Sequence, residues 1–260
     1  MSYVEKNEKD WTKIIGGGIL AMLAVAAFKW GMPYFREQAA MSDMATAEGA
    51  ERVMLEDPKA GPTLRAIKSN YPTDFDRMRD QVRAASAKRD STAISQAVHA
   101  TLGQINQRES RHLAAAPHDR VDALSRQHLA IVEHLQFRPD LCAKFVTGAG
   151  FTAKELTPAL SKLIEALVLA RIEAMAAGRN QPARTAAQPN AEDIARLDAA
   201  LRANGTPSIA YEMLTGKRAP DQATPRIICD AETHFVRATR SLPSEQGHRI
   251  YTAALAGSSR

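Results

Sequence analysis

Along most of the chain, apolar residues recur at intervals of three and four, the period of one helix face. Phe75, Met78, Val82 and Ala85 fall on one such face, and Ile94, Val98, Leu102 and Ile105 on the next. The first of these helices is entered from a turn over residues 70–73, where Thr73 and Asp76 have capping-box spacing. The second reads as helical from Ala93 to Ala114. Pro117 starts another helix, through Phe137, with Val121, Leu124, His128, Ile131 or Val132, and Leu135 as its seam. Pro139 ends it, and a short helical piece from Leu141 to Val146 is closed by Gly148 and Gly150.

The broadest apolar face runs through Leu156, Leu160, Leu163, Ile164, Leu167, Val168 and Ile172. This pattern reaches about Met175 and belongs at the domain centre. Thr152 and Glu155 again have capping-box spacing. Alternatively, Thr157 caps a fresh start with Pro158 at the first helical position, where its missing N–H costs little. Upstream, Tyr34 to Glu56 reads as a helix with small, sparse apolar positions, broken by the two prolines and the glycine of residues 57–62. Leu64 to Lys68 gives a short helix. Downstream, Gly178 to Pro189 reads as an exposed loop. The pieces Glu192–Ala203, Pro207–Leu214, Ile228–Thr239 and Glu245–Leu255 are expected to pack on the main bundle. No residue signature returns at a fixed period, so a repeat architecture has no support.

The strongest local signal is different in kind. Ile14 to Phe28 is uncharged, with Lys13 and Lys29 at its ends and Trp11 and Trp30 just outside. Tryptophan flanks suit a membrane interface, and a snorkelling Lys29 extends the run to about Met32. A single transmembrane anchor over 14–32 is therefore expected. It outweighs a cleaved signal peptide, whose site would have to be Ala39 and Ala40, a buried core helix, and an amphipathic helix lying on the surface. Gly17, Gly18 and Ala21 present small surfaces that permit self-association in lipid. Lys6, Lys9 and Lys13 before the helix, against Lys29 and Arg36 after it, favour a cytoplasmic N-terminus. The C-terminal domain is then extracytoplasmic, and periplasmic in a Gram-negative host.

Composition agrees with helix. Of 260 residues, 45% are hydrophobic but only 5% aromatic, with alanine and leucine prominent. That favours an all-α fold over strands and weakens any base-stacking platform. The net charge of +5 is interleaved with acids, so nucleic acid is not the expected partner. Arg77, Arg79, Arg83, Lys88 and Arg89 form a basic stretch, but Asp74, Asp76 and Asp80 beside it favour a solvated helix face. Cys142 and Cys229 suit either one structural disulfide or two buried thiols. If paired, they tie the two halves of the chain together. No CxxC exists, which removes thioredoxin-like chemistry and cysteine-rich zinc sites.

Chemistry-bearing motifs are sparse. His112, His118, His128 and His134 cluster, but their spacing does not place two ligands on one helix face, and Glu133-His134 lacks the second histidine of HExxH. No metal and no cofactor is expected. Glu109 with His112, and Asp119 with Asp122, have spacings open to acid–base work, yet such pairs are common on helical surfaces. There is no nucleophile elbow, P-loop or dinucleotide fingerprint. Gly148 and Gly150 lack the preceding strand a phosphate cradle needs.

The expected architecture is all-α: an N-terminal transmembrane helix followed by an irregular helical bundle. Its parts are a tail over 1–13, the anchor over 14–32, a membrane-proximal helix and break over 33–62, and a main helical domain over 63–178. A loop over 179–190 and a C-terminal helical subdomain over 191–256 follow. The expected function is a membrane-anchored adaptor, scaffold or assembly component, with the lipid bilayer and other membrane or envelope proteins as partners. The alternatives are a membrane-tethered envelope hydrolase using carboxylates or histidines, and a weakly basic nucleic-acid binder. A convergent polar pocket would favour the enzyme, and a flat face with an apolar patch the adaptor.

Overall fold

Short polar side chains, prolines and glycines set where each helix begins and ends. The computed structural model describes residues 42–152, 154–181, 188–219 and 222–257. α1 (Ala47–Glu56) opens on Thr46, whose hydroxyl accepts from the Gly49 N–H at 3.0 Å. α2 (Gly61–Asn70) and α3 (Pro72–Ala87) each carry a proline in the first turn. α3 thus starts at Pro72 with no side-chain cap bond, so Thr73 lies inside the helix and caps nothing. α4 (Ser91–Glu109) is capped by Asp90, which accepts from Ala93 N–H at 2.9 Å.

A 3-10 segment (Ser110–Ala115) turns the chain into α5 (His118–Leu135). α6 (Pro139–Thr147) ends on Gly148 at φ 74°, a left-handed position that glycine occupies without strain. α7 (Pro158–Arg179) takes the fresh start: Thr157 caps it by accepting from Leu160 N–H at 3.2 Å. Glu155 instead closes a turn, accepting from Thr152 N–H at 2.6 Å and from Lys144 Nζ at 2.6 Å. Those two bonds outweigh a small burial effect and hold its carboxyl down at about 2. α8 (Ala191–Ala203) has a full capping box between Asn190 and Asp193. α9 (Ser208–Leu214), α10 (Pro225–Ser241) and α11 (Ser244–Gly257) complete the order. Among the described residues all regular structure is helical, as the composition implies.

α7 occupies the centre, packed against α2, α4, α5 and the 3-10 segment. Leu160, Ile164, Leu167, Val168, Ile172 and Met175 are buried on it. Gly178 lets it pass close to the 3-10 segment, because a Cβ there would collide with the His112 carbonyl oxygen. Burying each large aliphatic side chain is worth about 1.5–3 kcal/mol. Arg171 is the one charged side chain buried on α7. α10 packs against α5, α6, α9 and α11, and α11 also meets α5 and the 3-10 segment. Cys142 on α6 and Cys229 on α10 form a disulfide, with Cα atoms 5.4 Å apart. The pairing that joins the two halves of the chain is thus present, and such a bond persists where thiols are not kept reduced.

The membrane part of the sequence expectation is corrected. Among the described residues no helix is long and apolar enough to cross a membrane. The physical reason is visible on α7, a 22-residue helix that carries Lys162, Glu165, Arg171 and Glu173 within its length. Residues 14–32, with Gly17, Gly18 and Ala21, lie outside the described residues. The transmembrane helix, the lipid-bilayer partner and the anchored adaptor role among membrane or envelope proteins are therefore withdrawn. So is the single-pass topology with a cytoplasmic N-terminus and an extracytoplasmic domain. What stands is the all-α bundle.

Candidate functional site

α5 and α10 lie side by side, and α11 packs across both. Where the three meet, a cleft of about 280 Å³ opens. The turn from α10 into α11 is tight because Gly247 lies against the Thr239 carbonyl oxygen, leaving no room for a Cβ. Val121, Leu242 and Tyr251 supply apolar wall, while His118, Asp122, Ser125, Arg240 and His248 are among the polar groups, which also include the Asp119 carboxylate and the Thr239 and Ser244 hydroxyls. Apolar walls with a few convergent polar groups are the usual make-up of a small-molecule site.

His118 is the first residue of α5, and His248 lies one turn into α11. Their Nδ1 atoms are 2.9 Å apart, with ring planes at 81°. Two imidazoles in this contact share one proton: one Nδ1 donates and the other accepts. Glu245 Oε1 lies 3.7 Å from His118 Nε2 at the rim. On the other side, Arg240 Nη1 donates to Asp122 Oδ1 at 2.8 Å, to the Asp122 carbonyl at 3.1 Å and to Ser125 Oγ at 2.6 Å. Burial pushes the Asp122 carboxyl up, but hydrogen bonds from Arg126 and Arg240 outweigh it and hold the group below the usual carboxylate range. Ser125 Oγ in turn donates to the Asp122 carbonyl at 3.0 Å. Its proton faces a backbone oxygen rather than a base, so Ser125 is not set up as a nucleophile.

Beneath the cleft, a polar chain crosses the core. Tyr251 Oη is 3.0 Å from His128 Nδ1, and His128 Nε2 is 3.0 Å from Glu232 Oε1. All three side chains are buried. The Glu232 contact has ion-pair distance but not hydrogen-bond alignment. The nearby carboxylate favours the proton on Nε2, which leaves Nδ1 to accept from the tyrosine hydroxyl. Burial drives the Tyr251 phenol well above its ordinary value, with Arg171 opposing and Glu232 reinforcing the shift. The hydroxyl therefore stays protonated and locks α11 to α5.

The four clustered histidines separate in the fold. His118 lines the cleft, His128 is in the core, His134 is exposed, and His112 stands 4.0 Å from Glu109. Among the described residues no group of three or more metal-ligating side chains could hold a metal ion. The basic stretch is acid-laced, as its spacing implies. Arg79 pairs with Glu51, Asp76 and Asp80, and Arg77 lies 3.7 Å from Asp74. Sequence reasoning missed His248, Arg240, Glu232 and Tyr251. A signal existed for Glu232: it shares the helical phase of Cys229 and Val236, so a carboxylate sits where the core period calls for an apolar residue.

No protein-family model, curated protein or solved structure matches this chain. The reading of the cleft therefore rests on its chemistry alone.

Proposed function

We propose that this chain is a helical ligand-binding domain whose cleft between α5, α10 and α11 receives a small organic acid. The observation that carries the reading is the convergence of Arg240 and the His118–His248 pair on a cleft walled in part by Val121, Leu242 and Tyr251. Arg240 uses Nη1 on Asp122 and Ser125. Its Nη2 and Nε are donors still suited to a carboxylate, and guanidinium–carboxylate recognition is strong when part of the surface is desolvated. Val121, Leu242 and Tyr251 would cover an apolar body. The arrangement favours binding over group transfer, since no nucleophile–base pair is formed by the lining residues.

The test is a matched pair of probes, benzoate and its neutral amide benzamide, titrated into isotopically labelled full-length protein. Benzoate is expected to shift the amide resonances of residues 118–125 and 240–251 and to bind at least about tenfold more tightly than benzamide. Arg240→Gln is expected to remove that preference. Equal binding of the two probes, or shifts confined to other surfaces, would sink the proposal.

A further inference from the structure

Arg171 heads the fully buried side chains by volume. It sits midway along α7, and its Nε donates to Asn106 Oδ1 on α4 at 2.6 Å. Nη1 and Nη2 reach no protein acceptor, and neither does Nδ2 of Asn106, which is also fully buried. Three donor nitrogens of two touching side chains thus remain unsatisfied within the interior.

Among the described residues no carboxylate pairs with the Arg171 guanidinium. The buried acids are engaged elsewhere: Glu109 with Arg108, Asp74 with Arg108, Asp193 with Arg249, Glu232 with His128, and Asp57 with the Lys59 and Ala60 N–H groups. The group that acts on Arg171 electrostatically is Tyr251, whose phenol keeps its proton. Burial pushes the guanidinium down to about 10, so it remains charged at neutral pH. An isolated cation in the core is among the most unfavourable arrangements a protein can hold. A water molecule would satisfy the donors but leave the charge.

We infer that Nη1 and Nη2 of Arg171, together with Nδ2 of Asn106, form an internal site for one small monovalent anion of the halide class. A halide is acceptor-only, which matches a set made only of donors. Both side chains are wholly shielded from solvent, which disfavours a bulky organic acid, and a single guanidinium calls for a single negative charge. The site is separate from the cleft, whose cation is Arg240.

The test uses the full chain. Thermal unfolding is followed in sodium chloride, sodium bromide and sodium gluconate at matched ionic strength, gluconate being too large to enter. In chloride and bromide the Tm is expected to rise by about 5 °C between about 5 and 500 mM, climbing with the logarithm of the halide concentration, with no such rise in gluconate. Crystals grown in bromide are expected to show an anomalous peak in contact with Nη1 and Nη2 of Arg171. Arg171→Met is expected to abolish the halide response, while Arg240→Gln keeps it. If Arg171→Met does not fold, Asn106→Leu is expected to move the onset of the Tm rise to about tenfold higher halide concentration. Equal Tm curves in halide and gluconate, or a water and no anomalous signal at Arg171 in bromide crystals, would overturn the inference.

Discussion

His118 and His248 meet through their Nδ1 atoms at 2.9 Å although 130 residues separate them in sequence. The contact joins the first turn of α5 to α11, and His248 is buried within it. Because one ring must donate and the other accept, the pair acts as a unit. Removing His118 takes the Nδ1 hydrogen-bond partner from the buried His248 ring, whereas removing His248 leaves the partly exposed His118 ring open to solvent. The expected coupling from a double-mutant cycle of His118→Ala and His248→Ala is about 0.5–1.5 kcal/mol. Urea unfolding of the four proteins checks it. Additive losses would mean that the two rings touch without contributing jointly to stability.

Gly247 sets how closely α11 approaches the end of α10. An added methyl group would meet the Thr239 carbonyl oxygen, a backbone atom that cannot swing aside. Gly247→Ala is therefore expected to destabilise the fold by about 1–3 kcal/mol, even though alanine is the better helix former. The same substitution should weaken benzoate binding, since Gly247 lines the cleft. A stabilised variant with normal binding would show that α11 has room the packing does not indicate.

The helical periods were legible because they are local. The seam of α5 and the apolar face of α7 follow directly from spacings of three and four, and Thr157 with Pro158 marks the start of α7. Cap assignments went astray where two signals compete. At α3, Pro72 takes the first helical position and displaces the Thr73 cap, and Glu155 is held by Lys144 rather than opening a helix. The cleft could not be read, because Arg240 and Asp122 are 118 residues apart and no period reports such a meeting. Arg171 carried the same signal as Glu232. Three residues after Val168 and four after Leu167, it sits on the apolar stripe of α7, where the core period calls for an apolar residue. The strongest local signal, over residues 14–32, lies outside the described residues.

Glu165 gives the bundle a pH dependence of stability. Burial pushes its carboxyl up to about 7, with Lys59 pulling it down and Asp57 reinforcing the rise. An unfolded glutamate titrates near about 4.3. The folded state therefore holds this proton more tightly than the unfolded one. The contribution to stability is fully present below the unfolded value and is lost as pH rises through the folded value. Glu165→Gln keeps the shape without the charge. After allowance for its partial exposure, the variant is expected to gain about 1 kcal/mol near pH 8 and nothing near pH 4. Urea midpoints at the two pH values decide the matter, and a gain of equal size at both would locate the effect in packing rather than titration.

The Cys142–Cys229 bond closes a long loop containing α7, α8 and α9, between residues 87 apart in sequence. In the chain-entropy account, a cross-link over such a span restricts the unfolded ensemble and contributes about 4–5 kcal/mol. α6 and α10 already pack on each other, so the folded state needs little adjustment to accept the bond. Cys142→Ala with Cys229→Ala is therefore expected to lower stability by about that amount while leaving the helical circular dichroism of the folded protein unchanged. Because both positions are buried, part of any loss reflects removed sulfur rather than the missing cross-link. Comparing the double variant with the reduced wild-type protein separates these effects. The reduced protein keeps the sulfur atoms, so its deficit isolates loop closure. If the reduced protein unfolds at the same urea concentration as the oxidised one, the bond constrains an unfolded chain that is already held together by other contacts.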